Sequence, residues 1–156
     1  MVDKRGDMFR LAARCALASW AVLPLAMACG CGDARPERVP VSGRVLIDGQ
    51  PLEFGTVRFI SPKHRPAGAK LEKGGQFSLS TYELGDGCVL GEHAVTVMGM
   101  EQVNKRTRRW HAPKKYCAPS TSELTANITE ETDALEFNLT WEGKKPFDER
   151  VGGGGD

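Results

Sequence analysis

The sequence VPVSGRVLIDGQPLEFGTVRFI, residues 39–60, alternates between apolar and polar side chains. A period of two is typical of a β-strand with one buried face. The apolar series is Val39, Val41, Val45 and Ile47. The Asp48-Gly49 pair that follows suits the positive φ angles of a tight hairpin turn, and Val57 and Phe59 then resume the inward series. This stretch therefore predicts a strand, a turn and a returning strand.

The same alternation recurs further along the chain. The later inward series are Phe77 and Leu79, then His93, Val95 and Val97, then Leu124, Ala126 and Ile128, and last Leu135, Phe137, Leu139 and Trp141. The 18 glycines and nine prolines among the 156 residues favour many turns and few helices. About seven short strands and no helix are predicted after residue 28, which indicates an all-β sandwich or barrel.

Composition divides the chain into four segments. Residues 1–28 have the features of a lipoprotein signal peptide, and residues 29–38 form a short polar tether. Residues 39–141 contain the predicted β-sandwich, while residues 142–156 are charged and glycine-rich and are predicted to be a disordered tail. The formal net charge is +1, and the leader is itself basic. A nearly neutral domain argues against nucleic acid as a partner.

The first 28 residues predict export through an N-terminal signal helix. Basic residues are concentrated in residues 1–10, and residues 11–27 are mostly apolar, with Arg14 as an interruption. The uninterrupted apolar run of residues 15–27 is shorter than the roughly 20 residues that a bilayer-spanning helix needs.

Cys29 and Cys31 each follow a small residue at the end of the leader, Ala28 or Gly30. This arrangement resembles a bacterial lipobox, in which such a cysteine becomes acylated. A cysteine that carries more than one acyl chain anchors a protein stably to a membrane. Both cysteines are candidates for lipidation, and cleavage by an ordinary signal peptidase is the alternative.

Residues 99–122 form the least regular part of the predicted domain, and they are basic. No acidic residue occurs between Glu101 and Glu123. The candidate interaction loop comprises Lys105, Arg106, Arg108, Arg109, Trp110, His111 and Tyr116. Such a cluster is suited to lipid headgroups, an anionic polysaccharide or an acidic partner. The alternative is a solvated loop without a ligand.

Several short motifs carry a family resemblance through their order and spacing. They are Val41-x-Gly43-x-Val45, Asp48-Gly49-x-Pro51-Leu52, Gly55-x-Val57-x-Phe59, Gly75-x-Phe77-x-Leu79, Asp86-Gly87, Gly91-x-His93-x-Val95-x-Val97, Pro113-x-Lys115-Tyr116 and Thr121-Ser122-x-Leu124. Residues 39–141 resemble the small lipoproteins of planctomycete-type bacteria that carry a carboxypeptidase-regulatory-like, transthyretin-like domain. The resemblance implies a seven-stranded Greek-key β-sandwich, with His93 where an aromatic residue is expected. It does not imply peptidase activity, because such domains accompany peptidases as accessories.

Cysteine and histidine positions indicate no active site. Cys88 and Cys117 are the two cysteines of the predicted domain, and an oxidising compartment favours a disulfide between them; two free thiols are the alternative. His64, His93 and His111 lie on separate segments and lack the matched spacing of metal ligands. No serine lies in a nucleophile-elbow motif. We therefore predict no catalytic residue, no metal and no cofactor.

These features favour a non-enzymatic, lipid-anchored envelope protein that acts as an interaction or structural module. It would face the periplasm or the cell surface, with the membrane and an unknown envelope protein or polysaccharide as partners. The alternative is a carbohydrate- or small-ligand-binding lipoprotein, in which Trp110, His111 and Tyr116 form a stacking face. An enzyme is the third and least favoured class.

Overall fold

A computed structural model of the chain describes residues 35–150. The predicted signal peptide and the candidate lipidation sites Cys29 and Cys31 lie outside the described residues. Between residues 35 and 150 the strands are β1 Arg38–Val39, β2 Val41–Ile47, β3 Gln50–Pro51, β4 Thr56–Ile60, β5 Ala67–Lys70, β6 Gln76–Ser78, β7 Cys88–Val89, β8 Gly91–Met98, β9 Met100–Asn104, β10 Thr107–Trp110, β11 Leu124–Ile128, β12 Thr132–Leu139 and β13 Phe147–Arg150. Two 3-10 turns, Lys73–Gly75 and Lys114–Cys117, and a four-residue helix, Pro119–Ser122, complete the structure.

The first layer of the sandwich is built around β2. The predicted turn joins β2 to β3, with positive φ angles at both Asp48 and Gly49, as a tight hairpin turn of this type requires. The strand β6 also pairs with β2, antiparallel to it. On its other side β2 pairs with β12 in parallel, so that Val45 lies opposite Phe137.

The second layer has the strand order β11-β8-β4-β5 and is antiparallel throughout. Its inward side chains meet those of the first layer in one apolar core. Three phenylalanine rings lie at the centre, with Phe59 5.8 Å from Phe137 and 6.2 Å from Phe77. Val95 of β8 is also fully buried. The predicted inward positions of these residues are confirmed, and an all-β sandwich accounts for the two packed layers.

The candidate interaction loop is more regular than predicted. The strands β9 and β10 form a hairpin, and β13 adds to the far side of β10 in the order β13-β10-β9. Residues 147–150 are therefore a strand, and the prediction of a disordered tail over residues 142–156 is wrong for them. The strand forms because β10 supplies a free edge with which it can pair.

The N-terminal entry to the sandwich is fixed by a short pairing. The strand β1 pairs with β7, so that Arg38 lies opposite Val89. Arg38 also forms an ion pair with Asp86 at 3.0 Å. Arg38 thus belongs to the folded domain and not to the predicted tether. No helix within residues 35–150 is long and apolar enough to span a bilayer.

Candidate ligand-binding end of the sandwich

Aromatic side chains gather where β2 and β12 end, at the far end of β2 from the N-terminal entry. We call this surface the aromatic end and define it by Phe54, Trp110, His111, Trp141 and Phe147. The β2–β3 turn holds Trp141 in place, because the backbone N–H of Trp141 lies 3.4 Å from the Asp48 carboxylate oxygens. The N–H of Asp48 in turn donates to the carbonyl of Leu139 at 3.0 Å.

A pocket of about 340 Å³ opens at the aromatic end. It is lined mainly by apolar and aromatic groups, among them Ile47, Leu52, Phe54, His111, Trp141 and Pro146. Phe54 remains 45% exposed and stacks on the His111 ring, with 4.8 Å between centroids and 21° between planes. The pocket is shallow and open to solvent, and its walls are mostly apolar, as are the walls of many ligand-binding surfaces. We call it the Phe54 pocket.

His111 is oriented by two contacts. Its backbone N–H donates to the carbonyl of Gly99 at 2.7 Å. Its side-chain Nε2 donates to the Glu101 carboxylate at 2.9 Å, since a carboxylate can only accept unless it is protonated. The imidazole therefore presents a fixed ring to Phe54, with a carboxylate behind it.

The structure separates the predicted loop residues into two groups. Lys105 and Arg106 are exposed at the β9–β10 turn, and Arg108 and Arg109 lie on β10. Trp110 is only 8% exposed and Tyr116 only 5%. The three rings of the predicted stacking face are not equally exposed, because Trp110 and Tyr116 belong to the core cluster and only His111 lines the Phe54 pocket. Sequence reasoning did not single out Phe54, which lies between β3 and β4, and it placed Trp141 at the end of an inward series without assigning it to a site.

Acidic residues from the C-terminal segment neutralise part of the basic cluster. Arg109 pairs with Asp148 at 2.8 Å, Lys114 pairs with Glu149 at 2.5 Å, and Lys115 pairs with Glu142. The hydrogen bond from Arg109 and its charge lower the pKa of Asp148, and the hydrogen bonds from Lys114 and Trp110 lower that of Glu149. The cations thus face carboxylates of this chain as well as solvent.

Cys88 and His93 form a buried polar pair inside the sandwich, away from the aromatic end. The Cys88 sulfur lies 4.0 Å from His93 Nε2, and burial raises the pKa of this thiol to about 11. His93 is 3% exposed, and its Nε2 donates to the carbonyl of Val89 at 2.7 Å. A thiol of high pKa is a poor nucleophile because little thiolate is present at neutral pH.

Cys88 and Cys117 are both free thiols. The Cys117 sulfur lies 3.7 Å from the carbonyl oxygen of Val97, whereas Cys88 contacts His93. The two contacted residues, Val97 and His93, are four positions apart on β8, which is about 13 Å along a strand. A disulfide needs Cα atoms within about 7 Å. The structure therefore contradicts the predicted disulfide.

Comparison with protein-family models, curated proteins and solved structures found no match to this chain. Within residues 35–150, no group of three or more histidine, cysteine or acidic side chains has the arrangement of a metal site.

Proposed function

We propose that this chain is a non-enzymatic, lipid-anchored envelope protein that acts as an interaction module through its aromatic end. The single observation that carries the proposal is the Phe54 pocket, which combines apolar walls with a large exposed aromatic side chain. Aromatic anchors in pockets contribute much of the free energy of protein recognition. Loops at one end of a rigid sandwich commonly perform this role.

The family resemblance supports the same proposal. It suggests the accessory, transthyretin-like domain of a planctomycete-type lipoprotein, with Greek-key connections and seven principal strands. The proposed export is supported by the leader sequence, and the proposed lipid anchor is supported by Cys29 and Cys31. The proposed location is the periplasmic side of a membrane or the cell surface, and the proposed partner is an envelope protein or polysaccharide.

Substitution of Phe54 tests the proposed recognition surface. The full-length Phe54→Ser variant should bind isolated envelope material about tenfold more weakly than wild type in a sedimentation assay, because truncating a central anchor costs more than about 1 kcal/mol. Leu84→Ser is the matched control, since Leu84 is fully exposed on a loop outside the pocket. Equal binding by wild type and Phe54→Ser would rule out this surface.

The lipid anchor has its own test in cells. Radiolabelled palmitate should enter the wild-type protein and be absent from the Cys29→Ser, Cys31→Ser double variant, because acylation needs a cysteine sulfur at this position. The two single variants identify which cysteine is used. Label that persists in the double variant would exclude lipidation at these positions.

A second candidate is carbohydrate binding at the same pocket, which the stacked Phe54–His111 pair favours. Flat aromatic faces beside a carboxylate such as Glu101 suit a sugar ring and its hydroxyl groups. Binding on a glycan array that is lost in Phe54→Ser would favour this candidate. A protein captured from the envelope without competition by free sugars would favour the first.

A further inference from the structure

The strand β13 is an extended segment added to the edge of β10. Its register places Trp110 opposite Phe147 and Arg109 opposite Asp148. Strand addition at a sheet edge is a recurring mode of peptide recognition. In this mode main-chain hydrogen bonds provide affinity, and alternate side chains provide specificity. The β10–β13 pair therefore has the architecture of a peptide complex formed within one chain.

One face of this pair holds an aromatic and an acidic side chain. Phe147 stacks on Trp110 with 6.3 Å between ring centroids and 18° between planes. The Glu149 carboxylate accepts hydrogen bonds from Trp110 Nε1 at 2.8 Å and from Lys114 Nζ at 2.5 Å. The Lys114 ammonium also lies 4.9 Å from the centroid of the Trp110 ring. Trp110 and Lys114 together thus bind two side chains of the strand.

On the opposite face of the β10–β13 pair, Arg109 binds Asp148, the residue between Phe147 and Glu149. Arg109 donates to both carboxylate oxygens of Asp148, from Nε at 2.8 Å and from Nη2 at 3.2 Å. Two-point pairing of a guanidinium with a carboxylate is geometrically specific. We call Arg109, Trp110 and Lys114 the β10 slot. Its side chains match an aromatic residue followed by two acidic residues in an extended conformation.

The segment in the β10 slot is held at the surface and not in the core. No residue of β13 is buried, and Phe147 is 42% exposed. Both side chains of the Arg109–Asp148 pair are almost half exposed, and exposed ion pairs contribute little to stability. Segments with few buried contacts open at low free-energy cost. The slot can therefore exchange its occupant without unfolding of the sandwich.

We propose that the β10 slot is a peptide-binding site, and that Phe147–Glu149 occupies it in the free protein. Its ligand is an extended segment of a partner protein, in which an aromatic residue precedes two acidic residues. Complementary charge on both faces of the slot identifies this chemistry. The proposal goes beyond the Phe54 pocket and does not depend on what that pocket binds. The chain's own segment acts as a competitor at an effective concentration on the order of millimolar.

The test uses the labelled peptide KPFDER, which has the sequence of residues 145–150, and fluorescence anisotropy with full-length protein. The occupant variant carries Phe147→Ala, Asp148→Ala and Glu149→Ala. It should bind the peptide about tenfold more tightly than wild type, because the internal competitor is gone. Adding Arg109→Glu and Lys114→Glu to it should abolish this binding. The single variant Phe147→Ser, which changes one exposed side chain, should shift the affinity in the same direction.

Three results would overturn the proposal. The first is an occupant variant that keeps the wild-type near-ultraviolet circular dichroism but binds the peptide no better than wild type. The second is equal binding of the charge-reversed peptide KPFKKR. The third is a concentration-dependent dimer of the wild-type protein in sedimentation that Phe147→Ser abolishes, because the slot would then be filled by a second copy of β13.

Discussion

Phe137 lies where aromatic rings from both layers of the sandwich meet. Its ring is 5.8 Å from Phe59 and 6.2 Å from Phe77. Replacing Phe137 by alanine should lower the free energy of unfolding by roughly 3–5 kcal/mol, since a buried ring is lost and a cavity remains. Urea denaturation measures the change.

The neighbouring residue provides the control for that experiment. Asn138 is exposed on the other face of β12, and Asn138→Ala should change the unfolding free energy by no more than about 0.5 kcal/mol. Similar losses for the two variants would contradict the strand register of β12.

The carboxylate of Asp86 pairs with Arg38 at the N-terminal entry, and its ionisation makes the stability of the fold depend on pH. Burial opposes its ionisation, but hydrogen bonds from the backbone N–H groups of Thr81, Tyr82 and Glu83, together with the charge of Arg38, outweigh burial and lower its pKa. The ionised carboxylate therefore stabilises the fold above the unfolded pKa of about 3.9. This stabilisation disappears as the pH falls through the lower folded pKa.

The Asp86→Asn variant should consequently be less stable than wild type at pH 7, and the difference should shrink as the pH approaches about 2. Urea midpoints measured across this range test the expectation, with the exposed Asp133→Asn variant as control. A difference that stays constant from pH 7 to pH 2 would attribute the effect to packing instead of ionisation.

Side-chain positions were predictable where the chain is periodic. Alternation identifies the buried faces of β2, β4, β8 and β12, because successive residues of a strand point to opposite sides. Trp110 and Tyr116 lie in a segment without alternation, and their burial depends on packing against distant parts of the chain. Tyr116, for example, accepts a hydrogen bond from the backbone N–H of Thr140 at 3.2 Å, a partner that no local pattern indicates.

At the scale of elements, the pairing of β1 with β7 depends on Gly87. Its φ angle is +78°, and an added Cβ would lie 1.8 Å from the carbonyl oxygen of Val39. Gly87→Ala should therefore detach β1 from β7, in addition to the strain of about 1–2 kcal/mol for a left-handed alanine. Hydrogen exchange at the amides of β1 and β7 that pair with each other should become markedly faster.

Gly74 is a matched control for this substitution. It has the same φ angle of +78°, but no atom lies within 4 Å of an added Cβ. Gly74→Ala should show the backbone strain alone and leave exchange at β1 unchanged. Faster exchange in both variants would mean that strain, and not the contact with Val39, controls the pairing.

Elements were predictable when their own residues alternate, and missed when a partner induces them. The sequence of β13, Phe147-Asp148-Glu149-Arg150, has no alternating pattern and follows a glycine and a proline. It becomes a strand because β10 offers a free edge and matching charges. The β9–β10 hairpin was missed for a related reason, since only Trp110 of its two strands is buried and most of the other side chains are polar.

At the scale of the whole molecule, the two ends of the sandwich are built differently. The N-terminal entry lies beside the start of β2, and the Phe54 pocket lies beyond its end. Six residue steps along β2 separate them by about 20 Å. With the anchor proposed at Cys29 or Cys31, the aromatic end and the β10 slot lie on the far side of the domain from the N-terminal attachment. Composition predicted the bounds of the domain, but only the strand pairings show that the N-terminal entry and the Phe54 pocket lie at opposite ends of it.

The parallel pairing of β2 with β12 has a mechanical consequence. The chain enters this pair at Val41 and leaves it at Leu139, which lie at opposite ends. Tension between the N terminus and a ligand held near the C-terminal strand would slide the two strands past each other along their length. The load then falls on the regular part of the pair, Leu135 to Leu139, where the evenly spaced hydrogen bonds of parallel strands must break together, whereas a hairpin pulled open loses its hydrogen bonds one at a time. The domain is thus suited to bear force applied between its N-terminal entry and the C-terminal end of β12.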